Sequence, residues 1–150
     1  MKYSFLILII FFYACEDICN ETDDGQNNSE PFVDVDEYFY FNQSDLIAYY
    51  FFDQVLINNQ QIDSTDWVAA FNGDICVGAK KWNCSSTTCN LAIYGYNNLN
   101  NLTNGYMVPG DLPLFKIYDA SDSIYYDALP SSFIPWQDGD FNQIEVLIAE

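Results

Sequence analysis

The chain has 150 residues, with 22 Asp plus Glu, 4 Lys, no Arg, no His and a formal charge of −18. Four basic residues cannot supply the footprint that nucleic acid needs, and without histidine there is no Ser-His-Asp or Cys-His machinery and no imidazole metal ligand. Half of the residues are hydrophobic and 18% aromatic, which excludes a disordered acidic polymer and leaves enough for one domain with a core.

Residues 1–14 read as an export signal. Lys2 supplies the positive start and Phe5–Tyr13 the apolar run, which is shorter than the ~20 residues a bilayer span needs. Ala14 then precedes Cys15. This resembles the lipobox of bacterial lipoproteins, which are cut before the cysteine and lipidated on it, although Phe12 and Tyr13 depart from the usual Leu and small residue. An ordinary secretory signal, the alternative, needs small residues at −1 and −3, and Phe12 would fill −3.

Residues 15–31 form an acidic tether, and the acidic run continues to Glu37. Nine of the 22 acids lie in Glu16–Glu37, so mutual repulsion extends the segment and little apolar surface is available to order it. Glu16 and Asp17 after the cysteine resemble the surface-export signal of Bacteroidota lipoproteins. The expected address is the outer membrane or cell surface, with membrane contact through the lipid anchor alone. These acids could also bind Ca²⁺, but no D-x-[DN]-x-[DN]-G-x₅-E loop is present.

Residues 32–150 show a period of two. Phe32–Phe41 alternates before an aromatic run, and Leu46–Ile57 is long and aromatic. Asn58-Asn59 signals a turn, with Gln61-Ile62 as the returning strand. Trp67–Phe71 and Ile75–Trp82 flank Asn72-Gly73, a hairpin signal that predicts a type I′ turn. Leu91–Tyr94 is a short strand. Asn97–Gly110 reads as a long Asn-rich loop. Pro113–Tyr118 and Ser123–Ala128 flank the Asp119–Asp122 turn, and Gln143–Ala149 closes the chain. About eight short strands without a convincing helix predict an all-β fold, a single antiparallel β-sandwich of Ig-like or jelly-roll-like type.

Five cysteines are present, at 15, 19, 76, 84 and 89. Export makes disulfides permissible. Cys84 and Cys89 bracket four polar residues and are expected to clip one loop. Cys76 reads as a buried free thiol, with a bridge to Cys19 left open by the spacing.

The stretch Asp66-Trp67-Val68-Ala69-Ala70-Phe71-Asn72-Gly73-Asp74-Ile75-Cys76-Val77-Gly78, with Phe115-Lys116-Ile117-Tyr118-Asp119-Ala120 downstream, is similar to an extracellular module of Bacteroidota and related marine bacteria. That module carries an A-A-F-x-G-x-x-C-x-G … F-K-x-Y-D-A pattern and accompanies type IX secretion. The resemblance covers roughly residues 39–148 and implies a small extracellular β-sandwich with no assigned chemistry. This chain departs by standing alone, without a sorting domain.

The candidate binding residues are Trp82, Tyr125, Tyr126 and Trp136, whose rings could stack on sugar faces; core packing is the competing explanation for each. Asp138 and Asp140 are weak Ca²⁺ candidates, against an ordinary Asp-Gly turn. No cofactor other than Ca²⁺ is suggested. The missing histidine argues against catalysis. The expectation is therefore a non-catalytic binding or adhesion module whose partner is a glycan or a cell-surface protein. A structural subunit pairing with similar modules is the alternative, and a glycoside hydrolase ranks below both.

Overall fold

The computed structural model describes residues 38–84 and 89–150. Cys15, Cys19, the export signal, the acidic tether and the alternation over 32–37 lie outside the described residues. Eight strands follow in order: β1 Ile47–Ile57, β2 Gln60–Gln61, β3 Trp67–Asn72, β4 Ile75–Lys81, β5 Cys89–Tyr94, β6 Leu114–Asp119, β7 Ile124–Pro130 and β8 Phe141–Ala149. A 3₁₀ turn at Asn101–Thr103 interrupts the loop before β6. The fold is all-β.

The arrangement is one mixed sheet. Its order is β2-β1-β8-β7-β6-β3-β4, with β5 also pairing β1. Seven pairings connect the eight strands, and that of β1 with β8 is parallel while the rest are antiparallel. The sheet curls into a half-barrel, and β4 comes to pack against β5. Two facing antiparallel sheets are thus replaced by a single curled one. The first and last strands meet in the same direction, which local hairpin signals cannot reveal.

The turns follow from local chemistry. Asn58 and Asn59 both take positive φ, 50° and 63°, as a two-residue type I′ hairpin requires, and asparagine tolerates that region. Between β3 and β4 only Gly73 does so, at φ 59°. Asn72 pairs with Ile75, so the two central residues are Gly73 and Asp74 rather than Asn72 and Gly73. A glycine at the first central position belongs to the II′ class. In the β6–β7 hairpin the Asp119 carboxylate accepts from the Ser121 and Asp122 backbone N–H groups at 2.9 and 3.2 Å.

Strand β3 is buried on both faces, as its Trp-Val-Ala-Ala-Phe run predicts. Val68 and Ala70 enter the main core with Tyr50, Phe52, Leu91, Ile117 and Ile144. Ala69 and Phe71 face a second cluster with Phe39, Cys76 and Tyr118. Residues 38–41 are not strand. Phe39 instead lies over the outer face of β3, 4% exposed, with its ring edge-on to Phe71 at 6.0 Å.

Cys76 is free and buried beneath that cover. Burial pushes its thiol up to about 11. The folded chain holds this proton where an unfolded thiol would lose it, so the group favours folding below about pH 9 and stops doing so as pH rises towards 11. Urea stability should fall across that window by on the order of 2 kcal/mol more in the wild type than in Cys76→Ala. Equal slopes in the two proteins would refute the assignment. Burial also raises Tyr50, Tyr94 and Tyr106, which is why the comparison with the variant is the measurement.

Candidate functional site

The aromatic run in β1 sets up an outward-facing, half-buried stripe. Period-two alternation sends Tyr50 and Phe52 inward, where they are 0% and 1% exposed, and turns Tyr49 and Phe51 outward. The parallel register pairs Tyr49 with Phe141 and Phe51 with Gln143. Phe141 therefore lands beside both outward rings. Its centroid lies 5.5 Å from that of Tyr49 and 6.2 Å from that of Phe51, with planes tilted by 21° and 25°. Offset stacks of this kind lie within the favourable range for aromatic pairs. Phe141 remains 73% exposed.

Polar groups continue the stripe along the same seam. The Gln143 amide donates to the Asp53 carboxylate at 2.7 Å, Asn90 pairs opposite Phe51, and Glu145 is exposed. At the other end Tyr94 stacks on Phe41 at 5.6 Å. Burial, and then the neighbouring Tyr49, hold its hydroxyl above the usual tyrosine range.

The turn before β8 fixes this register. Asp138 accepts from the Ile47 N–H at 2.8 Å. Gly139 donates to the Ile47 carbonyl at 2.8 Å, and the Asp140 carbonyl accepts from Tyr49 N–H at 2.9 Å. Asp138 and Asp140 thus stand in a turn that stitches β8 to β1. Among the described residues, no group of three or more His, Cys, Asp and Glu is placed to hold a metal ion.

The aromatic residues singled out from sequence are not brought together. Trp136 is 1% exposed, and its indole N–H donates to the Ile93 carbonyl at 3.0 Å. Trp82 is also buried, edge-on to Phe52 at 6.0 Å. Neither offers a face to a sugar, because each fills the core that this small sheet needs. Tyr126 packs against the main core. Tyr125 lies on the opposite side, against Tyr118 and Tyr38 at 4.6 and 4.7 Å. Cys84 and Cys89 are disulfide-bonded, with Cα atoms 5.8 Å apart.

A concavity opens elsewhere, on the outer face of β6 and β7. It encloses about 420 Å³ and is lined by Tyr38, Phe71, Leu114, Lys116, Asp127 and Phe133, among others. Lys116 and Asp127 are register partners and form an ion pair across it. The Lys116 ammonium lies 5.8 Å from the Phe71 centroid, and its hydrogen bond to Asp127 holds it above the ordinary lysine range.

The stripe was missed at the sequence level. Its available signal was the four consecutive aromatics Tyr49–Phe52, of which alternation must turn two outward. Phe141 carried no such signal, since its place depends on a pairing across 92 positions (Tyr49 with Phe141). Comparison with protein-family models, curated proteins and solved structures gives no match for this chain.

Proposed function

We propose that the protein is a surface-exposed bacterial lipoprotein, lipidated on Cys15, that presents a non-catalytic module binding glycan through Tyr49, Phe51 and Phe141. The observation that supports binding is the outward-facing ring stack on a hydrogen-bonded seam, with Phe141 exposed and Tyr49 and Phe51 half-buried beside it. Three rings held by paired strands offer apolar area with little entropy left to lose. Flat apolar sugar faces suit such rings, while Gln143, Asp53 and Asn90 offer partners for hydroxyls. The absence of histidine supports a binding role over a catalytic one.

Retention on immobilised polysaccharide tests this. Phe141→Ala should weaken retention about tenfold, equivalent to roughly 1.4 kcal/mol, while the melting temperature drops by a few degrees and unfolding stays cooperative, because the exposed ring gives up two stacking contacts and no core packing. Wild-type retention in the variant, or no retention of the wild type on any polysaccharide, would overturn the proposal. An N-terminal peptide lacking an acylated Cys15 would remove the lipoprotein part alone.

Adhesion to a surface protein is the second reading. The groove favours it, since Leu114, Leu129 and Phe133 are 55%, 65% and 63% exposed around one ion pair. Phe133→Ala separates the two, as it alters the groove and leaves the stripe intact.

A further inference from the structure

The charge around the stripe narrows the ligand class. Residues 38–150 carry 13 acids against three lysines. The lysines stand on β4 and β6, and neither strand pairs with β1 or β8. Every formal charge on the β1 and β8 seam is negative: Asp53 on β1 and Glu145 on β8, with Asp138 and Asp140 in the turn that leads into it. An anionic chain laid there meets repulsion with no cation to offset it, and acidic walls lower its local concentration. The neighbouring donors and acceptors are the Gln143 amide and Asp53 carboxylate, already joined at 2.7 Å, and the Asn90 amide opposite Phe51, chemistry that serves hydroxyl groups rather than sulfates or uronates.

We infer that the stripe selects neutral polysaccharide, laid along the β1–β8 seam from Tyr49 and Phe141 towards Gln143 and Asp53, and rejects uronate-rich or sulfated chains. This rests on the glycan-binding proposal and specifies its substrate class. The ring pair Tyr49–Phe51 spans two residues of strand, about 7 Å, so the stack grips a short stretch of chain. Tight surface attachment then comes from many displayed copies acting together.

Affinity electrophoresis in gels containing one polymer at a time gives the test. The probes are a neutral β-glucan, β-mannan and xylan, against a polyuronate and a sulfated galactan, each at low and at moderate salt. The expected result is retention by at least one neutral polymer, unchanged by salt, lost about tenfold in Phe141→Ala and reduced in Gln143→Ala. The anionic polymers should give none at low salt. Glu145→Lys, which places an ammonium on the same face, should raise polyuronate retention severalfold. Anionic polymers retained as well as neutral ones, with the same loss in Phe141→Ala, would overturn the selectivity and leave glycan binding standing. No retention by any polymer, with a cooperative melt showing the protein folded, would overturn both.

Discussion

Trp136→Ala should lower folding stability by about 3–5 kcal/mol, the range for deleting a buried large aromatic. The ring is 1% exposed and lies against Gly95, where an added Cβ would collide with the indole. Its N–H satisfies the Ile93 carbonyl at 3.0 Å. Its backbone also ties two loops, donating to the Asp111 carbonyl at 2.7 Å and accepting from Gly110 at 3.0 Å. Alanine leaves a cavity and removes that side-chain hydrogen bond, while those backbone bonds survive. Trp136→Phe keeps much of the ring and should cost less, with the lost hydrogen bond contributing about 1 kcal/mol. Equilibrium urea unfolding distinguishes the two. A Trp136→Ala protein as stable as wild type would return the residue to the surface and to the list of sugar-stacking candidates.

Gly78→Ala should be the most damaging addition of a single carbon. A Cβ at this position would drive into the Ala92 carbonyl oxygen, where β4 passes β5 at the closing side of the curl. The obstacle is backbone, so no rotamer change relieves it. Either β4 lifts away or β5 is pushed off β1. We expect a loss of about 1–3 kcal/mol or more, as for overpacked cores, with increased binding of hydrophobic dye as the strands part. An unchanged melting temperature would mean that β4 and β5 do not approach as closely as this. The last glycine of the A-A-F-x-G-x-x-C-x-G pattern thus has a packing reason: it is the contact point of two strands. The first, Gly73, has a conformational one in its positive φ.

Much of the strand layout was legible. Each hairpin is announced by local residues, the Asn pair at 58–59 and the Asp119 turn among them, because turn chemistry acts within four residues. The two-sided burial of β3 was legible too, since alternation with apolar residues on both faces permits nothing else. The non-local half was not. Nothing near Phe141 specifies that β8 joins β1 in parallel, and that pairing makes the stripe. The tryptophans misled for a related reason. Pro-Trp-Gln-Asp-Gly-Asp reads as an exposed loop, but Trp136 packs inward from it to fill the space beside Gly95. Composition reports that aromatics abound; topology decides which ones face water.

The parallel β1–β8 seam has a mechanical consequence. Its two strands are matched at eight Cα pairs, Tyr49–Phe141 to Ile57–Ala149, whereas β7 and β8 meet at three. Tension applied along β1 shears the seam, so its backbone hydrogen bonds share the strain and must break together. Tension applied across β7 peels that short ladder one bond at a time. The domain is therefore anisotropic, stiff to a tug along the direction in which the proposed polymer lies and weak to one at right angles.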